Sequence, residues 1–332
     1  GKEKELTVVD TADRIVTVKK PLRKIVVCFP HAFEALRSLK VPKDIIAGVA
    51  KDRWDTAFFP EIGDIPSVGW RWTPDIEEIL NLHPDAVIIG AYTFGASEFK
   101  MKPIAEALES AGITVLAFNC NIPDTHQEEM KNIGYIFGKQ DEAKEYLDWY
   151  GGIISTTKEK VDTISEEDKP KVYFEAGRPY RIYGERAHIA FAGGKDIFAD
   201  QPGSSMSIDP ETVIARNPDI LVALTSRGGG YDMVDTTELK ALRNEIMNRP
   251  ELQEVKAVKE GKVYIIAVQI YTAFPASGCR YFAQIAYMAK WFHPDLFEDL
   301  DPKAIHQEYL TRFQGLDIDL DKKGVFVYPE PS

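Results

Sequence analysis

The sequence predicts an α/β protein made of two similar lobes with parallel sheets, joined by one long α-helix. Three observations predict this. The first is alternation: short apolar runs take turns with segments of helical period along most of the 332 residues, the pattern of parallel sheets with covered faces. The second is a repeat. Glu77-Glu78-Ile79-Leu80-Asn81-Leu82-His83-Pro84-Asp85-Ala86-Val87-Ile88 and Glu211-Thr212-Val213-Ile214-Ala215-Arg216-Asn217-Pro218-Asp219-Ile220-Leu221-Val222 each read as a short helix, a Pro-Asp step and a buried strand. Lys24-Ile25-Val26-Val27 and Lys171-Val172-Tyr173-Phe174 open the two halves alike, so the repeat holds its place within each half. The third is the stretch 141–169. Ala143, Leu147, Tyr150, Ile154, Thr157, Val161 and Ile164 recur there at steps of four and three, one stripe of a helix that Pro170 stops. Helical throughout, it would span about 39 Å. Gly151-Gly152 is its weak point and leaves open two shorter helices with a kink. The expected division is an N-terminal lobe 1–140, a connecting helix 141–169 and a C-terminal lobe 170–332.

In chain order, 6–10 and 14–19 alternate apolar and polar side chains around Thr11-Ala12-Asp13 and read as a hairpin. Strands follow at 24–29, 44–49, 86–90 and 113–118, with helices at 31–39, 75–82, 98–111 and 125–138. The second half restarts with a strand at 171–175, turns at Gly177-Arg178-Pro179 and returns along 180–184. Further strands fall at 219–224 and 262–268. Helices fall at 186–193, 210–215, 239–247, 276–292 and 302–313, before an irregular tail.

Composition narrows the function. Apolar content of 44% and charged content of 28% fit a globular chain with good cores. No run approaches the roughly 20 apolar residues that cross a bilayer. The formal net charge of −12 argues against a nucleic-acid partner, whose phosphates it would repel. Cys28, Cys120 and Cys279 lie too far apart for a CxxC metal site or a disulfide framework and read as small buried residues. The sequence has no GxSxG elbow, no HExxH and no GxxxxGK[ST] loop. Gly228-Gly229-Gly230 follows a strand without the lysine of a phosphate cradle and reads as a mobile loop tip.

In open parallel sheets, ligands sit outside the carboxyl ends of the strands. Loops at those positions carry His31, Trp54, Trp70, Arg71, Trp72, Tyr92 and Phe94 in the first half, and Arg178, Tyr180, Ser205, Arg227, Tyr231 and Tyr271 in the second. They are dense in aromatics and arginines and poor in carboxylates. In an acidic chain such loops suit a large, flat or anionic ligand. Of the six histidines, only His31 lies clearly at a strand's carboxyl end, so bare metal capture is not expected. His31 itself reads either as a polar residue opening a helix or as a ligand contact.

The order of these features resembles the ABC-transporter solute-binding proteins that carry ferric siderophores, haem and cobalamin. The likeness runs through Asp10 with Arg14-Ile15-Val16, Lys24–Val27 leading into Phe33-Glu34-Ala35-Leu36, and both Pro-Asp steps. It continues with Phe191-Ala192-Gly193-Gly194-Lys195-Asp196-Ile197-Phe198 and Lys262-Val263-Tyr264. The resemblance implies two Rossmann-like lobes, a rigid interlobe helix, and export to the cell surface with a lipid anchor upstream of Gly1. It implies a monomer without enzymatic activity or resident cofactor. Such a protein captures a metal chelate between its lobes, a ferric siderophore or alternatively haem or a corrinoid, and delivers it to a membrane permease. It also implies that Glu77 and Glu211, at matching positions of the repeat, each pair with an arginine of the permease; on their own they read as first-turn glutamates complementing a helix dipole. A nitrogenase-like two-lobed enzyme is the alternative of another class. It would need cluster-ligating cysteines, which the spacing of Cys28 and Cys120 does not favour.

Overall fold

In the computed structural model, which describes residues 4–51, 54–94, 101–184, 186–201, 205–271 and 279–332, the chain divides into two units. The first runs through Trp149 and takes in Cys279 and Tyr309–Leu316. The second runs from Tyr150 and takes in Arg280–Glu308 and Asp317–Ser332.

The first unit opens with the expected hairpin, Lys4–Val9 against Ile15–Lys20. The Asp10 carboxylate accepts the N–H groups of Ala12, Arg14 and Ala117, each at 3.1 Å. One buried side chain thereby closes the turn and fastens it to the sheet. That sheet has four strands in the spatial order Ile46–Val49, Ile25–Val27, Ala86–Gly90, Thr114–Phe118, all parallel. Ala86–Gly90 is buried along its whole length, as a strand covered on both faces must be. Beneath it Val26, Val87, Ile89, Ile79, Leu108 and Val115 form one core.

The second unit holds a five-stranded sheet in the order Lys195–Asp196, Lys171–Ala176, Ile220–Thr225, Val263–Ala267, Val327–Tyr328. Its last strand is antiparallel and comes from the expected irregular tail. The edge strand Lys195–Asp196 was not legible as a strand. The expected return strand 180–184 shrinks to Arg181–Ile182, which pairs with Met206–Ser207 in a separate ribbon.

The repeat has a physical cause. Each short helix, Ile76–Leu82 and Pro210–Arg216, starts on an aspartate whose carboxylate accepts a first-turn N–H: Asp75 from Glu78 at 3.1 Å, Asp209 from Glu211 at 2.9 Å. Each ends on a left-handed residue, His83 at φ 49° and Asn217 at φ 44°. The Pro-Asp step then ties the sheet at its amino end. Asp85 N–H donates to the Lys24 carbonyl while its carboxylate accepts Arg23 and Lys24 N–H at 2.6 and 2.9 Å. Asp219 N–H donates to the Lys171 carbonyl while its carboxylate accepts Lys171 N–H at 2.7 Å.

The connecting helix is Gln140–Val161, one unbroken run of 22 residues through Gly151-Gly152, and the boundary between the units falls inside it. It stops short of the expected Lys169. Thr163 N–H reaches the Lys160 carbonyl at 3.1 Å and Ile164 N–H the Val161 carbonyl at 3.0 Å, the tightened bonds of a helix end. Ser165 then donates to the Asp168 carboxylate at 2.7 Å, a local turn that competes with further helix. The expected helix 302–313 is likewise two pieces, Pro302–Glu308 and a π-helical turn Tyr309–Phe313. Helix 98–111 is described as Met101–Ser110 and helix 276–292 as Tyr281–Phe292; residues 95–100 and 272–278 lie outside the described residues.

Candidate functional site

In the first unit the carboxyl ends of the central strands carry a row of aromatic rings. Ile25–Val27 runs on to Phe29, whose ring meets His31 at 6.0 Å and Tyr92 at 6.2 Å, both edge to face. Tyr92 lies in the tight turn after Ala86–Gly90 and donates its N–H to the Asn119 side chain at 3.0 Å. Its ring folds back over Gly90, where a Cβ would stand 2.5 Å from the ring, so only glycine lets the ring lie there. Trp72 meets Tyr92 at 5.1 Å and Trp70 meets Trp72 at 6.4 Å. Trp70, 48% exposed, is the open end of the row, and His31, 1% exposed, the closed one. The structure therefore joins Trp70, Trp72 and Tyr92 directly and His31 through Phe29. Arg71 is buried between the two tryptophans in sequence rather than held out to solvent. Phe94 leaves the row altogether; it packs on the core below and under the Arg14 guanidinium, 5.0 Å from its ring.

In the second unit Arg178 and Arg227 follow the paired strands Lys171–Ala176 and Ile220–Thr225, which run parallel with Ala176 beside Leu224. Both arginines are exposed. Neither side chain forms an ion pair or hydrogen bond with a described residue; the only bonds at Arg227 are its backbone groups with Thr225. Tyr180, half-buried, lies under the Arg249 guanidinium, 5.1 Å from its ring, and its hydroxyl donates to Glu251. Burial and the Glu251 carboxylate push that hydroxyl's pKa up, so it stays a donor. Ser205 is exposed; Ser204 and Gly203 beside it lie outside the described residues.

Two expected loop tyrosines turn inward. Tyr231 is 1% exposed, with its hydroxyl 2.7 Å from His306 Nε2 and receiving Arg280 at 2.9 Å. The cause is the triglycine, which is pinned rather than loose. Gly230 and Val325 exchange backbone bonds at 2.8 and 3.0 Å, and Gln269 donates to the Gly229 carbonyl at 3.0 Å. Gly230 at φ 149° then directs the chain into the core. Tyr271 is fully buried, stacked on Phe174 at 5.3 Å and edge-on to His188 at 5.4 Å. Burial, then the nearby Arg186 charge, lowers the His188 pKa to about 3, so this imidazole stays neutral at physiological pH.

Sequence reasoning missed the charged groups that buttress these loops. Glu129 accepts Thr11 Oγ1 at 2.6 Å and the N–H groups of Asn119 and Cys120 at 2.7 and 2.8 Å, holding the loop after Thr114–Phe118. Burial raises its pKa against those bonds. Glu175 plays the same part in the second unit with Arg249 and Tyr180. For Glu175 the available signal was a carboxylate near the carboxyl end of an otherwise apolar strand; Glu129, on the helix Pro123–Phe137, gave none. Glu77 and Glu211 are exposed in the first turns of their helices. Among the described residues no group of three or more His, Cys, Asp or Glu could hold a metal ion, and no helix is long and apolar enough to cross a membrane.

Two repeated α/β units, each with aromatic or cationic groups at the carboxyl ends of its parallel strands, define the class of two-lobed solute-binding proteins. The chain belongs to the periplasmic binding protein family, whose model matches residues 25–269. It is 25% identical over 303 residues to the uncharacterized ABC transporter substrate-binding lipoprotein YvrC of Bacillus subtilis, covering 89% of this chain and 87% of that protein. It is 23% identical over 209 residues to the high-affinity heme uptake system protein IsdE of Staphylococcus aureus, spanning 60% of this chain and 66% of that relative. Among solved structures, the TroA-like periplasmic binding protein FepB from Veillonella parvula matches with a TM-score of 0.79 at 25% identity, over 97% of this chain and 99% of that one.

Proposed function

We propose that the chain is the extracytoplasmic, lipid-anchored solute-binding component of an ABC importer, and that its solute is an anionic metal chelate, a ferric siderophore. The observation that carries the choice of solute is the pair Arg178 and Arg227. They are two exposed guanidiniums on adjacent strand ends, with no carboxylate among the described residues to neutralise them. A planar, permanently charged fork suits carboxylate or catecholate oxygens. Glu77 and Glu211, exposed on matching helices of the two units, are the proposed contacts to the permease.

The row Trp70, Trp72 and Tyr92 favours a second reading, a flat haem or corrin macrocycle stacked on aromatic faces, and the Staphylococcus aureus relative is a heme uptake protein. A thermal-shift and tryptophan-quenching screen over ferric catecholates, ferric carboxylate chelates, haem and cobalamins separates the two. A true ligand at 100 times its Kd adds about 2.7 kcal/mol to stability. Response to anionic ferric chelates is expected. Response to haem or cobalamin alone selects the second reading, and response to none of them refutes both.

A further inference from the structure

Strand Lys171–Ala176 carries a carboxylate, Glu175, that is 3% exposed among apolar neighbours. Arg249 grips it with both terminal nitrogens, at 2.7 and 2.8 Å. The same carboxylate accepts the Tyr180 backbone N–H at 2.9 Å and the Tyr173 hydroxyl at 3.2 Å. Tyr180 sits at φ 54°, a left-handed conformation that a side chain disfavours and that its surroundings must hold. Glu175 holds its N–H, the Ile208 N–H holds its carbonyl at 2.6 Å, and Arg249 covers its ring. Arg178 stands in the same turn, whose backbone closes from Arg181 N–H to the Arg178 carbonyl at 3.3 Å. Its own side chain is exposed and makes no ion pair with a described residue.

We propose that Arg249 is the positioning residue of the anion-binding loop 177–180. It fixes the turn through Tyr180 and, by saturating Glu175, keeps that carboxylate from capturing Arg178. A buried carboxylate left without its partner draws the nearest free cation, because the unpaired charge is costly in a low-dielectric setting. A guanidinium drawn inward in this way is lost to an incoming ligand. Only an arginine saturates both carboxylate oxygens while its plane lies on a tyrosine ring. The inference rests on the reading of Arg178 as an anion contact, and its first test needs no ligand.

Arg178 is labelled with phenylglyoxal in the ligand-free protein, and its peptide is followed by mass spectrometry. Three folded proteins are compared: the parent, Arg249→Met, and Arg249→Met with Glu175→Gln. Fast labelling is expected in the parent, and labelling slower by about fivefold or more in Arg249→Met, where Glu175 takes Arg178. The double variant should recover the parent rate, since a glutamine cannot hold a guanidinium ion pair but still accepts the Tyr180 N–H. Titration of the same proteins with an anionic ferric chelate should show Kd raised about tenfold in the single variant and largely restored in the double. Unchanged Arg178 labelling in a folded Arg249→Met overturns the inference. So does a double variant no better than the single, which would mean that Arg249 only supports the fold. The expected labelling pattern together with no binding of any anionic chelate would keep the positioning role and refute the solute.

Discussion

Replacing Asp219 by alanine removes the tie at the amino end of the second sheet while leaving its backbone bond to Lys171 in place. Two contacts are lost: Lys171 N–H to Oδ2 at 2.7 Å and Lys256 Nζ to Oδ1 at 2.8 Å. The Lys256 side chain is 49% exposed and that of Asp219 21%, so the ion pair belongs to the surface class and contributes about 0.5 kcal/mol. The bond from a backbone N–H to a carboxylate is worth more, about 1.5 kcal/mol. The substitution should therefore cost about 2 kcal/mol at neutral pH, a fall of about 4–8 °C in the transition of the second unit. Acid supplies the check. Burial pushes the Asp219 pKa up, but Lys256 and the Lys171 N–H outweigh it and hold the group below its ordinary value. A carboxyl whose pKa is lower folded than unfolded contributes fully above the unfolded value near 4, and the contribution fades as pH falls through the folded one. The gap between parent and variant should thus be constant from neutral pH down to the unfolded value and shrink steadily as the pH falls from there through the folded one. Asp85→Ala is the internal comparison: its carboxylate accepts two backbone N–H groups and, among the described residues, no lysine ammonium, so its cost should fall on the first unit and resist salt. The Asp219 cost should lose its ion-pair share at high ionic strength. Calorimetry from pH 2 to 8 at two salt concentrations measures all of this. A variant within 0.5 kcal/mol of the parent at pH 7, or a gap undiminished at pH 2, would refute the reasoning.

Arg178→Ala or Arg227→Ala should leave thermal stability unchanged, since neither side chain has a partner to lose among the described residues, while weakening an anionic chelate by about 1.5–3 kcal/mol. Stopped-flow binding should place the loss mainly in the off-rate; parent-like affinity in both variants would mean the arginines are not contacts. Glu77→Lys with Glu211→Lys should keep folding and solute affinity but abolish delivery to a reconstituted transporter, and uptake that survives the double reversal removes these residues from the docking surface. The thiols should be inert in the native protein. Burial raises the Cys28 pKa to about 12 and, with Glu129 and Glu34, that of Cys120 well above its ordinary value, so neither is a thiolate at pH 8. Rapid reaction of these two with a disulfide reagent before unfolding would contradict that.

The amino and carboxyl ends of the two sheets differ in how much the sequence discloses. At the amino ends the same ties recur in both halves: aspartate cap, left-handed stop, Pro-Asp, and the first N–H of the opening strand, with Lys256 added in the second. The partners recur at the same places in both halves, so the pattern is visible without a structure. The helix stripe was legible for the same reason, up to the point where Ser165 and Asp168 bond to each other instead of continuing it.

At the carboxyl ends of the second sheet the loops are closed by distant residues. Tyr231 follows a strand as a ligand contact should, yet the Gly230–Val325 bridge draws it inside. Tyr180 is held by Glu175 and by the Ile208 N–H, and Glu175 is in turn gripped by Arg249, 74 residues further on. No periodicity or spacing encodes such pairings, so the residue types near the site were readable while their exposure was not. The same asymmetry has a functional sense. Because the sheets are fixed at their amino ends by bonds repeated in both halves, the loops at the other end can change length and charge without loosening the fold. Each unit can thus present a different face, an aromatic row in one and exposed guanidiniums in the other, from one repeated frame.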